Sequence, residues 1–82
     1  MPFEIAYASQ AVKQLKKLDK IIQAQMLKRL EKLAENPFLA KPLSNEFKNF
    51  RSEHVGKYRV IFSIKDKTLI IAAIKHRKDA YE

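Results

Sequence analysis

Val55-Gly56-Lys57-Tyr58-Arg59-Val60-Ile61-Phe62 decides how this chain folds. Gly56 is the single glycine in 82 residues, and a strand pattern follows it at once. Glycine reaches positive φ without steric cost, so its place just before β-branched and aromatic residues predicts a forced hairpin turn. In the strand that follows, Tyr58, Val60, Phe62 and Ile64 fall on one face, and Arg59, Ile61 and Ser63 on the other. The first set suits a core. The second carries a guanidinium to a different surface, and function is to be sought there.

Working outward, Phe47 to His54 reads as the strand before the glycine turn, with poor alternation. Lys65-Asp66-Lys67 is the next turn, and Thr68 to Lys75 is the last strand. Leu69 to Ile74 is apolar on both faces, which predicts a central strand with cover or neighbours on each side. The register of this second hairpin decides what faces Arg59. A two-residue loop sets Ile74 opposite Arg59, with His76 continuing that face. A three-residue loop sets Ala73 opposite, and Lys75 and Arg77 then share the face of Arg59. The turn lacks the Asn-Gly or Asp-Gly pair that would fix the short form, and the three-residue loop is preferred because it gathers the cations.

Toward the N-terminus, Phe3, Ile5 and Tyr7 alternate with other residues as a short first strand would. Ser9 is the expected N-cap of a short helix carrying Val12, Leu15 and Leu18, with Lys13, Lys16 and Lys17 between them. Asp19 is the expected cap of a second helix. Its stripe is Ile22, Met26, Leu30 and Leu33, widened by Leu27 and Ala34, and Asn36-Pro37 ends it. Residues 37–46 read as loop because of Pro42 and Asn45, with Phe38, Leu39 and Leu43 tucked against the core. The expected fold is α+β over one domain, 1–82. A short strand and a helical hairpin precede three hairpin-connected antiparallel strands; the helices cover one sheet face and a basic face stays open.

Composition narrows the chemistry. Seventeen Lys and Arg against nine Asp and Glu give a net charge of +8, a balance that favours nucleic acid or an acidic partner protein. There is no cysteine, hence no disulfide framework and no thiolate site. The longest apolar run, Leu69 to Ile74, is far short of a membrane span, and a cytoplasmic protein with no membrane partner is expected.

Arg51, His54, Lys57, Arg59, Lys75, His76, Arg77 and Lys78 all lie in or beside the three C-terminal strands, and Tyr81 follows. Cations on an open sheet face can bind phosphate oxygens, and an aromatic ring beside them can stack on a nucleobase. The carboxylates are dispersed, whereas two-metal cleavage needs them grouped, so any phosphodiester chemistry is expected to run without metal or cofactor. For RNA that means attack by the neighbouring 2′-hydroxyl, with a base for its proton and cations for the charged phosphorane. Arginine cannot be that base. His54, His76, Tyr81, or a lysine among arginines such as Lys57 or Lys75, remain.

The segment from Arg51 to Phe62, with its Gly-x-Tyr-Arg strand, and the ending His76-Arg77-Lys78-Asp79-Ala80-Tyr81 resemble the RelE/ParE toxin superfamily. The resemblance covers nearly the whole chain. It implies the toxin half of a type II toxin–antitoxin pair, neutralised by an acidic antitoxin that wraps it. RelE-like members cut mRNA in the ribosomal A site by 2′-hydroxyl attack, using basic residues and a C-terminal tyrosine. By position, Arg59 would hold the scissile phosphate, and Arg77 would contact phosphate or help the leaving group. Tyr81 would stack on a base or move a proton. Arg51 falls near a position where many RelE-like proteins keep a basic residue, but Ser52 and Glu53 follow it, so His54 stands in as the base to test. Lys57, Lys75, His76 and Lys78 would line the RNA. ParE-like members share the fold and the strand arginine yet act on DNA gyrase; Tyr81 favours RNA cleavage. A plain nucleic-acid-binding domain is the third reading.

Overall fold

Gly56 and Lys57 make the turn between two strands, β3 (Phe50–Val55) and β4 (Tyr58–Lys65), with Gly56 at φ +60°. The next hairpin turns through Asp66 and Lys67 into β5 (Thr68–His76), and Asp66 takes the left-handed conformation at φ 56°. Aspartate tolerates this region better than most side chains, so the turn forms without glycine. The computed structural model describes residues 2–39, 41–42, 50–76 and 78. Before the hairpins come β1 (Glu4–Tyr7), α1 (Ser9–Lys16) and α2 (Lys20–Leu33), then a 3₁₀ turn over Pro37–Leu39 and the two-residue β2 (Lys41–Pro42).

The sheet runs β1-β5-β4-β3-β2. The first strand pairs in parallel with the last, Glu4 opposite Thr68 and Tyr7 opposite Ile71, and all other pairs are antiparallel. Thus β5 is an interior strand with a neighbour on each side, as its two apolar faces predict. Residues 41–42 correct the expectation of loop throughout 37–46. A two-residue strand has no period to read, and Pro42 sits at the sheet edge, where a missing N–H is tolerated. Leu43, Asn45 and residues 47–49 lie outside the described residues.

Val60 and Phe62 of β4, Leu69, Ile71 and Ile74 of β5, and Ala11, Met26 and Leu30 of the helices form the buried core, with Tyr58, Ile64, Ile5 and Tyr7 packed against it. Each large side chain so buried contributes about 1.5–3 kcal/mol of transfer free energy. Both helices therefore cover the Tyr58–Val60–Phe62–Ile64 face. Leu27 stands off the stripe at 40 % exposure, and Phe38 is 57 % exposed rather than tucked in. Phe38 instead meets the ring of Phe3 edge-on, at 6.0 Å between centroids. The N-cap of α1 is Ala8, not Ser9, which is already helical; Asp19 does occupy the N-cap of α2, without a side-chain bond. Arg29 of α2 pairs with Glu53 of β3 at 3.5 Å on the helix side.

The second hairpin corrects the expected register. Its loop has two residues, Lys65 pairing with Thr68 and Phe62 with Ile71. Beyond that point the register shifts: Ile61 pairs with Ala73, so Ala72 and Ala73 together face one residue of β4. This β-bulge adds the residue that the short loop lacks. Lys75 ends directly opposite Arg59, on the face a three-residue loop would have given it, and His76 passes to the helix side opposite Tyr58.

Candidate phosphate-binding face

Pairing across three strands sets His54 of β3, Arg59 of β4 and Lys75 of β5 in one row on the face away from the helices. His54 and Lys75 are exposed and Arg59 is half-buried. Neighbouring strands lie roughly 4.8 Å apart, so the row spans about 10 Å, close to the reach of one phosphodiester and its flanking sugars. Below it on the same face run Ser52 and Ala73, both buried, with half-buried Ile61 between them.

The Arg59 Nη2 lies 3.1 Å from His54 Nε2. A guanidinium has donors only, so in this contact the imidazole nitrogen is the acceptor. Strand pairing thus gives a fixed cation beside a lone pair that can take a proton. Lys57, exposed in the glycine turn, adds charge at the end of β4, and exposed Lys78 follows β5.

Two other candidates lie elsewhere. Arg51 pairs with Phe62 and so stands on the helix side, its guanidinium 5.3 Å from the centre of the Phe38 ring and its Nη1 donating to the Phe38 carbonyl at 3.4 Å. His76 stacks edge-on against Tyr58 at 5.2 Å, and its Nδ1 accepts the backbone N–H of Lys78 at 3.2 Å. Neither joins the row. Arg77 and Tyr81 lie outside the described residues. Among the described residues, no three His, Cys, Asp or Glu side chains converge as a metal site would need, and no helix is long and apolar enough to cross a membrane.

A groove of about 610 Å³ opens on the other side of the molecule, between β1 and the end of α2, lined by Pro2, Phe3, Ile5, Glu31, Ala34 and Glu35. Its two carboxylates repel phosphate, so size does not make it the nucleotide site. Near it, burial pushes the Tyr7 phenol above its ordinary value, and the negative charge of Glu31 adds to the effect.

Sequence reasoning missed the bulge and one residue that meets it. Gln14 of α1 accepts the backbone N–H of Ile74 through Oε1 at 2.6 Å. The adjacent small residues Ala72-Ala73, in a strand otherwise rich in isoleucine, were the available signal.

Residues 5–81 match the sequence model for the ParE toxin of type II toxin–antitoxin systems. A RelE-like toxin protein of Escherichia coli is 29 % identical over 87 residues, spanning 99 % of this chain and 92 % of its own. Among solved structures, a chain of the toxin–antitoxin complex RelBE2 from Mycobacterium tuberculosis superposes with a TM-score of 0.86 at 28 % identity, covering 94 % of this chain and 93 % of its own. A chain of the RelE–RelB complex from Pyrococcus horikoshii gives 0.77 at 26 %, covering 94 % and 97 %. The isolated RelE toxin of E. coli, at 18 % identity and a TM-score of 0.76, shares the fold.

Proposed function

Since the chain belongs to the RelE/ParE superfamily of type II toxins, we propose that it is a ribosome-dependent endoribonuclease that cuts mRNA by 2′-hydroxyl attack. The observation that carries this reading is the His54–Arg59–Lys75 row, in which a guanidinium and an imidazole lone pair meet at 3.1 Å on an open face.

The chemistry follows from those groups. The 2′-oxygen attacks the adjacent phosphorus, the bond to the 5′-oxygen breaks, and a 2′,3′-cyclic phosphate and a 5′-hydroxyl result. Arg59 and Lys75 neutralise the charge that builds on the phosphorane oxygens. An incoming phosphate competes with His54 for the Arg59 N–H. As the guanidinium turns to the anion, Nε2 is released to take the 2′-hydroxyl proton. The 5′-oxygen needs a proton as it leaves; the family resemblance gives proton transfer to Tyr81, with Arg77 contacting the phosphate or helping the leaving group as a cation. Lys57 and Lys78 extend the basic track for the RNA backbone.

An antitoxin is the second partner proposed. The matched structures from M. tuberculosis and P. horikoshii are toxin–antitoxin complexes, and a surface with a net charge of +8 suits an acidic chain laid along it.

The test is a reconstituted translation reaction in which new mRNA 5′ ends are mapped. Ends in register with codons, dependent on the ribosome and lost with Arg59→Ala, are expected; unchanged ends in the mutant would overturn the reading. A second reading, inhibition of DNA gyrase without nuclease chemistry, is favoured by the ParE description of the matching family. It requires loss of supercoiling activity on addition of the protein, with mRNA left intact.

A further inference from the structure

We propose that the open face holds a nucleobase as well as a phosphate: the base flanking the scissile phosphate lies on an apolar floor, centred on Ile61 and Ile70, beside the cationic row. The proposal rests on reading the row as a phosphate site and gives the rest of that face a task.

The two flanks of the row differ. Toward the glycine turn, exposed Lys57 precedes β4 and exposed Lys78 follows β5. Away from the turn, the next two rows across β3, β4 and β5 are Ser52–Ile61–Ala73 and Phe50–Ser63–Ile70. None of these six residues is charged, in a chain of which 32 % is charged. The water-facing side of an antiparallel sheet ordinarily turns polar. Here Ile61, Ile70 and Phe50 are half-buried on the face away from the helices, and Ala73 and Ser52 are buried beside them.

A nucleotide has the same division, with a charged backbone on one side and the apolar faces of its base on the other. With a phosphate on Arg59 and Lys75, the backbone passes over Lys57 and Lys78, and the base falls toward Ile61. Ile61 stands two residues along β4 from Arg59 on the same face, about 7 Å, a separation that one ribose can span between a phosphate and its base. Turned the other way, the backbone would lie on the isoleucines and lose water with no cation in those rows to replace it. Charge complementarity therefore sets both the occupant and its orientation.

The floor reads a base by its face and not by its edge. Its side-chain polar groups are the hydroxyls of Ser52 and Ser63, each able to donate or accept, so neither selects one base edge. Contact area is left to discriminate, which favours purines over pyrimidines and sets adenine near guanine.

The test uses the full-length protein and uncuttable 2′-O-methyl RNA strands of equal length, one bearing adenines, one uracils and one abasic. The adenine strand is expected to bind tightest and the abasic strand weakest. All three should share one slope of log affinity against log salt, because they carry the same phosphates. In isotope-labelled protein the backbone amides of Ile61 and Ile70 should shift with the adenine strand and hold still with the abasic one. Ile61→Thr, which keeps the branched strand-forming side chain, should weaken the adenine strand and leave the abasic strand unchanged.

Equal affinity for the adenine and abasic strands overturns the floor, and so does tighter adenine binding without shifts at Ile61 and Ile70. Uracil binding as tight as adenine overturns selection by area. If Ile61→Thr does not fold, the amide shifts of the unmodified protein decide. Arg59→Ala should lower the salt slope by about 0.7, one phosphate contact, on every strand. A slope unchanged by Arg59→Ala, or no binding of any strand by the unmodified protein, sinks the phosphate reading and the floor with it, whereas the outcomes above sink the floor alone.

Discussion

His54 accepts a hydrogen bond from Arg59 through Nε2 at 3.1 Å, the two residues lying directly opposite each other on adjacent strands. The pair is therefore set by backbone pairing and not by long flexible side chains reaching across a loop. Such a site is held in place before substrate arrives, which is where electrostatic catalysis gains most. His54→Gln retains a polar side chain but offers no basic nitrogen. It should lower the cleavage rate about 10²–10⁴-fold, the usual scale for a general base, while leaving RNA affinity nearly unchanged. Single-turnover cleavage beside a binding titration checks the separation.

Arg59→Lys should fail almost as badly as Arg59→Ala, with a loss on the order of 10²–10³ in rate. Lysine keeps the charge but not the planar fork that can span two phosphate oxygens. Recovery to within a few-fold of the native rate by the lysine variant would mean that charge alone suffices.

Arg51 stands on the helix side, over the Phe38 ring. Arg51→Ala should cost about 0.5–1 kcal/mol in urea unfolding, the range for an exposed cation–π contact, and change cleavage by less than about threefold. A large loss of cleavage with unchanged stability would show that the substrate wraps round to that side.

Gly56 turns the chain at φ +60°, and nothing lies within 4 Å of where a Cβ would stand. Gly56→Ala therefore meets no clash, and its cost is the left-handed backbone alone, about 1–2 kcal/mol. Gly56→Asn should recover part of that, because asparagine visits this region more readily. Denaturant midpoints of the three proteins give the order.

Tyr7 provides the pH prediction. Its folded pKa lies above the unfolded 10.0, through burial first and then the charge of Glu31. The native state holds this proton more tightly, so the stabilisation is fully present below pH 10 and is lost as pH rises through the folded value. Tyr7→Phe should flatten this part of the alkaline stability curve, and Glu31→Gln should make the loss smaller, because the folded value then lies closer to the unfolded one. Thermal melts between pH 9 and 11 separate the variants.

The sequence declares the turn at Gly56, the core face of β4 and the interior place of β5 openly, since periods of two and a lone glycine are local signals. The stripe from Ile22 to Leu33 is equally plain. Which cations converge is not local. Arg59 and Lys75 meet, and His76 leaves the row, because of a bulge; Arg51 leaves it because of strand parity, which β3 shows only weakly in its sequence. Lys41–Pro42 pairs with β3 at an edge chosen by the sheet, with no pattern of its own to announce it.

The parallel pairing of β1 with β5 has a consequence for synthesis. β1, made before the helices, lies beside β5, made after both hairpin turns, and β5 also supplies Leu69, Ile71 and Ile74 to the core. A growing chain that stops short of β5 leaves the helices without their main packing surface, and Arg59 without Lys75 across from it. The protein cannot assemble its cationic row while its C-terminal strand is still in the exit tunnel.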